Sequence, residues 1–434
     1  MSELDRDSIE RSERLLKSRR FLPLFITQFL GAFNDNLFKL AMLMLFTYQL
    51  SDQTEIGADV LNNMAAGIFI LPFFLFSALA GQLADKYSKS VAIRHIKLAE
   101  IILMVLGAIG FFMGHLWGLM VILFLMGVQS AFFGPIKYAM LPELLKEREL
   151  INGNALIEGA TFIAILLGMI IGGSLIFMDG GLYWTTAMTI GCAILGWFTA
   201  KQVPATKAVK PNLIINLNLI TATFDIIKTA KGNRPVIRSI MAISWFWLFG
   251  SLVLTQFPAF TENELGGAPA IVSWFLALFT IGIAIGSGLC AKMLKGQISA
   301  RYSPWAAGVM AIASIDLYFA SIGVTKASDT LIPLAEFLMT ADYWRISIDL
   351  AIIAVAGGVY IVPLYTILQE KSEPSVRSRM IAANNIVNSG FMALGAGVAI
   401  IILGQELKVQ HVLLITGLFN LVIAFLLVRF PASD

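Results

Sequence analysis

The sequence predicts an all-α membrane protein of twelve transmembrane helices in two six-helix halves. Three observations carry that expectation. Of 434 residues, 58% are hydrophobic and 14% are charged, against about 25% charged in a soluble globular protein. Apolar stretches able to cross a bilayer, about 20 residues each, recur from end to end. One polar stretch, residues 201–235, interrupts them near the middle with Lys201, Lys207, Lys210, Lys228, Lys231 and Arg234. Such a chain excludes a soluble enzyme, a disordered scaffold and a nucleic-acid-binding domain; a lipid-embedded backbone satisfies its own hydrogen bonds as helices.

The spans are expected near 21–48, 58–84, 92–113, 116–136, 153–177, 182–200, 236–260, 268–291, 303–324, 348–369, 379–403 and 411–430. This divides the chain into a cytoplasmic segment 1–20, a first bundle 21–200, a linker 201–235 and a second bundle 236–430. Residues 1–20 are charged and lead to no small-residue cleavage site, so the first span is expected to serve as its own insertion signal. Cys192 and Cys290 lie in separate apolar runs and read as buried free thiols.

Positive charge orients the spans. Twelve crossings place 27 of the 31 Lys and Arg residues on the side of the N-terminus and the linker; the exceptions are Lys39, Lys326, Arg345 and Lys408. That side is therefore expected to be cytoplasmic, with both termini and the linker there. In the loop after span nine, Leu331–Met339 with Trp344 can lie flat at the outer interface or form a packed extracellular loop.

The halves echo one another. Gly153-Asn154-Ala155-Leu156-Ile157-Glu158-Gly159 opens span five, and Asn384-Asn385-Ile386-Val387-Asn388-Ser389-Gly390 opens span eleven; Pro135 in span four has a counterpart in Pro363 of span ten. Repeated halves are typical of alternating-access carriers with a site between them near the midplane. Loop 2–3 reads Gly81-Gln82-Leu83-Ala84-Asp85-Lys86-Tyr87-Ser88-Lys89. Gly81 permits close helix approach, and Asp85 can complement a helix N-terminus and pair with a cytoplasmic Arg. Gly81, Asp85 and Lys86 are thus gating candidates. An ordinary charged turn is the plainer alternative. The matching loop, Gly288-Leu289-Cys290-Ala291-Lys292, lacks the Asp.

Polar groups inside spans are costly, about 2.5–3.5 kcal/mol for a central charge on insertion scales. Span one holds Asn34-Asp35-Asn36 and then Lys39. Asp35 lies about 21 Å in from Phe21 at 1.5 Å per residue. It shares a face with Gln28, Gly31 and Lys39, so Asp35 and Lys39 can neutralise each other. The pair is either structural or part of a site for a cationic group, a proton or a sodium ion, with Asn36 orienting the carboxylate. Glu158, on one face of span five with Asn154, Thr161, Gly168 and Gly172, is a second anion, unless it pairs with a cytoplasmic Lys or Arg. Lys137 either joins the site or snorkels to the interface. Lys97 and Glu100 read as an intrahelical pair near the inner surface, and Asp316 has no explanation in the sequence.

No G-x-x-x-x-G-K-[ST] phosphate loop is present, and His95, His115 and His411 are scattered, so an ATP-driven pump, a metal site and catalysis are not expected, and no cofactor is implied.

The loop 2–3 pattern resembles the signature of the major facilitator superfamily, with Ser88 where a second glycine is usual. Beyond it, Gln28-Phe29-Leu30-Gly31-Ala32-Phe33-Asn34-Asp35-Asn36, Gly134-Pro135-Ile136-Lys137-Tyr138, Asn152 to Gly159, Ile165-Leu166-Leu167-Gly168 and Val362-Pro363-Leu364-Tyr365-Thr366-Ile367-Leu368-Gln369-Glu370 resemble the bacterial lysophospholipid transporter family. The likeness covers nearly the whole chain. It is closest to the module found fused, in some bacteria, to a 2-acylglycerophosphoethanolamine acyltransferase. The resemblance implies inward flipping of lysophosphatidylethanolamine and related lysophospholipids for reacylation, with Asp35, Asn36, Lys137 and Glu158 at the head-group site and Asn34 and Lys39 beside them. Family members can carry a basic residue in span seven; Trp245 to Leu254 has none, so Lys137 or Lys39 is the expected phosphate partner. The expected partners are the lysophospholipid and membrane lipid, with an acyltransferase on a separate chain as a candidate. A monomer and no nucleic acid are expected. Two rivals stand beside this reading: a cation-coupled carrier of another amphipathic solute, and a non-transporting membrane partner of an acyltransferase.

Overall fold

A computed structural model describes residues 3–49, 58–322, 331–405 and 407–432. The described chain is helical, with one isolated bridge between Gly267 and Ile332. Helix α1 (Glu3–Leu16) precedes the first span, α2 (Leu22–Met44), which runs on through a π-helical turn, Leu45–Gln49. The first half continues with α3 (Ala58–Lys86), α4 (Lys89–Met113), α5 (Leu116–Leu144), α6 (Leu150–Leu175) and α7 (Gly181–Gln202). A linker helix, α8 (Leu219–Lys231), leads to α9 (Arg234–Ala259), α10 (Pro269–Leu294), α11 (Ser303–Ile322), the short α12 (Leu334–Met339), α13 (Ala341–Lys371), α14 (Arg377–Gly404) and α15 (Val409–Arg429).

Among the described residues eleven helices are long and apolar enough to cross a membrane. The twelfth crossing is α7, whose hydropathy is diluted by buried Thr185, Thr186 and Thr189 and which packs on α2 and α4. Contacts repeat with a shift of one half. In the first, α2 packs on α6 and α7, α3 on α5, and α4 on α5 and α7; in the second, α9 packs on α14 and α15, α10 on α13, and α11 on α13 and α15. The halves meet chiefly where α3 crosses α14 and α6 crosses α10. Within the first half, Gly168 and Gly172 let α6 lie against the α2 backbone: a Cβ on either would stand 2.4 Å from the Phe33 or Leu37 carbonyl oxygen.

Several boundaries differ from expectation. Helix α5 runs through Pro135 and Pro142 to Leu144, because neighbouring helices hold a span that a proline would end in water. The segments 1–20 and 201–235, read only as polar, contain α1 and α8. Asn218 caps α8 by accepting from the Ile220 and Thr221 amides, each at 3.1 Å. After span nine, residues 323–330 and Lys326 lie outside the described residues. Between Leu331 and α13, Phe337 is buried and stacks on Tyr343 at 4.7 Å, while Leu331, Met339 and Trp344 are exposed. Cys192 and Cys290 are buried and free.

Candidate functional site

The linker side is where the halves lock. Gly81 on α3 faces α14 so closely that a Cβ would stand 2.7 Å from the Ala382 Cβ and 3.0 Å from the Ser378 carbonyl oxygen. One turn on, Asp85 is fully buried. It accepts from the Ser378 amide in the first turn of α14 at 3.2 Å and from Arg379 Nε at 2.9 Å. Both expected contacts of Asp85 are therefore present, and the arginine comes from the opposite half. Lys86 is not part of this lock; its ammonium stands over the Tyr87 ring at 5.8 Å. The linker is strapped to the same corner: the Lys210 amide donates to the Asp85 carbonyl and the Asn216 amide to Gln82 Oε1, each at 2.8 Å. A second lock joins α6 to α13, where the amides of Asn154 and Gln369 exchange two hydrogen bonds of 2.8 Å. The sequence placed both residues in motifs without a role for the pair.

Above these locks lies an aromatic and charged floor. Tyr138 on α5 donates to Glu158 Oε1 on α6 at 2.5 Å. Its ring stacks on Tyr365 of α13 at 4.6 Å and 4°. Trp247 of α9 donates to the Tyr365 hydroxyl at 3.0 Å and stacks on Phe162 of α6. Glu158 is buried and its hydrogen-bond partner is the Tyr138 hydroxyl, not a cytoplasmic base. The Lys137 ammonium stands over the Tyr138 ring at 4.7 Å, and Lys137 enters no ion pair among the described residues. Tyr138, Tyr365 and Trp247 complete this floor. For the two tyrosines the signal in the sequence was placement inside the family-like motifs, not charge.

Span one distributes its polar residues differently from expectation. Asp35 and Lys39 do not form an ion pair: Asp35 Oδ2 accepts from the Ser130 hydroxyl of α5 at 2.7 Å, and Lys39 stands over the Phe69 ring of α3 at 5.7 Å. Asn36 does not orient Asp35, since its amide donates to the Ala32 carbonyl of its own helix at 2.8 Å. Asn34 turns into the bundle and donates to Glu100 Oε1 at 3.1 Å. Successive residues on a helix are about 100° apart, so three adjacent polar side chains cannot share one partner. Asp35 remains within electrostatic reach of Lys39 and Lys97.

Behind Asp35 lies a polar cluster built on the intrahelical Lys97–Glu100 pair of span three. Lys97 and Glu100 pair at 2.5 Å, both buried. Glu100 also accepts from Gln129 Nε2 at 3.0 Å and from Asn34. Gly31 makes room for the Lys97 ammonium, which would lie 2.5 Å from a Cβ there. The Ser130 hydroxyl lies 2.7 Å from Asp35 Oδ2 and 3.1 Å from Gln129 Oε1. A hydroxyl carries one proton, so it serves one acceptor at a time. The hydroxyl thus bonds either Asp35 or Gln129, whose amide group holds Glu100.

The profile of the Major Facilitator Superfamily matches residues 24–396. The chain belongs to the Major Facilitator Superfamily. It is 29% identical over 391 residues to the lysophospholipid transporter LplT of Escherichia fergusonii, across 88% of each chain. It is 26% identical over 396 residues to the LplT of Salmonella heidelberg, across 89% of each. Its fold is similar to those of the human organic anion transporter MFSD10 (TM-score 0.77, 13% identity, 94% of this chain and 99% of that one) and the Escherichia coli fucose:proton symporter FucP (TM-score 0.69, 12% identity, 96% and 100%). At those identities the structural likeness speaks for the superfamily's fold alone. The twelve crossings, two halves and paired contacts described above are the architecture of this superfamily.

Proposed function

We propose that this chain is a lysophospholipid transporter of the bacterial inner membrane. It moves lysophosphatidylethanolamine and related lysophospholipids inward by alternating access, for reacylation. The observation that carries this reading is the floor between the halves. A carboxylate, Glu158, and an ammonium free of ion pairs among the described residues, Lys137, flank the Tyr138–Tyr365 stack. A zwitterionic head group needs those two charges, one for its amine and one for its phosphate, and an aromatic wall suits the start of an acyl chain. The names of the relatives, matched along nearly their whole length, support it.

In this reading residues 21–200 and 236–430 move against each other, with 1–20 and the 201–235 linker in the cytoplasm. The Asp85–Arg379 and Asn154–Gln369 locks close the cytoplasmic side, so the described state faces outward. Asp35 works above the floor, on the substrate amine or on a coupling cation, with Lys39 beside it; Asn34 and Asn36 shape that part of α2. The chain acts as a monomer without catalysis of its own, and a separate acyltransferase consumes the delivered lipid. The deciding experiment is uptake of labelled lysophosphatidylethanolamine into proteoliposomes with and without proton and sodium gradients. Uptake above protein-free vesicles supports the reading; its absence in well-folded, correctly inserted protein overturns it. A cation-coupled carrier of another amphiphile is favoured by one observation, the buried polar cluster of Gln129, Glu100 and Lys97 behind Asp35 and Ser130. A strict gradient requirement with no lysolipid uptake would select it.

A further inference from the structure

Asp316, which the sequence leaves unexplained, faces α13 from α11. Arg345 grips it with two nitrogens: Nε donates to Oδ2 at 2.9 Å and Nη2 donates to Oδ1. Asp349, one turn along α13, is 5% exposed and lies beside both. Its Oδ2 has no hydrogen-bond partner. Two carboxyl groups thus stand against each other beside one guanidinium, so the cluster carries more acid than base and draws a cation.

Next to this cluster is an apolar groove of about 480 Å³ between α10, α11 and α13. It opens to the outside of the bundle, where Ile348 is 52% and Trp305 75% exposed. Ile348 lies three residues past Arg345 and Val359 fourteen, both on the groove wall. At 1.5 Å per residue the groove starts about one turn from the guanidinium and ends about 21 Å from it. A groove of that length and volume suits one extended acyl chain. The charges of this cluster meet one another and none of the residues of the central floor, and polar residues within spans call for a ligand or partner.

We propose that the Arg345–Asp316–Asp349 cluster and this groove form a second, lipid-facing site for a single-chain phospholipid with a primary ammonium. Arg345 holds the phosphate, Asp349 and Asp316 receive the ammonium, and the acyl chain lies along Val309, Ile352 and Val355. The site loads substrate from the membrane face opposite the linker. This rests on the reading of the chain as a lysophospholipid transporter.

The test uses full-length protein in nanodiscs and a lysophosphatidylethanolamine carrying a diazirine in its acyl chain. After irradiation, labelled peptides are mapped. Labelling of α11 and α13 is expected, reduced at least fivefold by Asp349→Asn. A lysophosphatidylglycerol probe, which lacks the amine, should label Asp349→Asn and the unaltered chain equally. Ile352→Trp fills the groove without touching the cluster and should remove labelling by both probes; it keeps the test decisive if Asp349→Asn folds poorly. Unlabelled lysophosphatidylethanolamine should compete and diacyl phosphatidylethanolamine should not. Labelling confined to the central cavity, equal labelling of the groove in both variants, or equal competition by the diacyl lipid would overturn the proposal. Proteoliposome uptake run in parallel separates the two readings. Uptake without groove labelling sinks this site alone; groove labelling without uptake by the unaltered chain sinks the transport reading.

Discussion

The carboxylate of Asp85 on α3 and the guanidinium of Arg379 on α14 meet at 2.9 Å across the boundary between the halves, 294 residues apart in sequence. The same carboxylate takes the Ser378 amide at the start of α14. One residue therefore joins an ion pair to the positive end of a helix, and a gating role predicts that both contacts break when the linker side opens. Asp85→Asn keeps the size and loses the charge. Weakening a charged hydrogen bond costs about 2 kcal/mol, roughly thirtyfold in a two-state equilibrium. We expect faster labelling of a cysteine placed behind the lock, lower transport and near-normal expression. Unchanged labelling would reduce Asp85 to a buried charge without a gating role.

Gly81 should tolerate no side chain. A Cβ there would stand 2.7 Å from that of Ala382, whereas at Gly67 on the same helix nothing lies within 4 Å. Gly81→Ala should hold the linker side open and lower transport at least tenfold. Gly67→Ala should be neutral. Equal transport by the two variants would show that α3 and α14 need not approach this closely during the cycle.

Lys97 and Glu100 should behave as a coupled pair. Removing one partner of a buried ion pair costs about 3–5 kcal/mol, while replacing both with apolar groups of similar size is often neutral. Lys97→Met and Glu100→Gln should each lower the melting temperature of detergent-solubilised protein by several degrees. Lys97→Met/Glu100→Met should recover most of the loss. If the double variant is stable but fails to transport, the pair serves the cycle as well as the fold.

Asp35 and Lys137 should separate by head group. Asp35→Asn is expected to abolish uptake of lysophosphatidylethanolamine, and to affect lysophosphatidylglycerol less if the carboxylate meets the amine alone. Lys137→Gln should impair both lipids, since both carry phosphate. Equal loss of both lipids in Asp35→Asn, with lysolipid affinity intact by binding measurement, would assign Asp35 to coupling or conformational change.

Topology can be read directly. Single cysteines in 201–235 should react with impermeant reagents only from the cytoplasmic side. Labelling from outside would invert the orientation and with it the proposed direction of transport.

The sequence by itself determined the membrane class, the twelve crossings, the two halves and the corner where Gly81 and Asp85 lie. Those follow from local quantities: hydropathy over a window, the placement of Lys and Arg, and residue spacing along one helix. Tertiary structure alone decided which charges meet. Asp35 and Lys39 are one turn apart and looked like a pair, yet α5 offers Asp35 a hydroxyl and α3 offers Lys39 an aromatic ring. Lys97 and Glu100 read as a self-contained intrahelical pair, yet Asn34, Gln129 and the gap at Gly31 also enclose them. Helical periodicity states which way a side chain points. It cannot state what stands opposite, because that partner arrives from another helix, as Arg379 does at Asp85 and Tyr365 at Tyr138. In lipid, with no water to satisfy a misplaced polar group, the packing of distant helices rather than the local pattern chooses each partner.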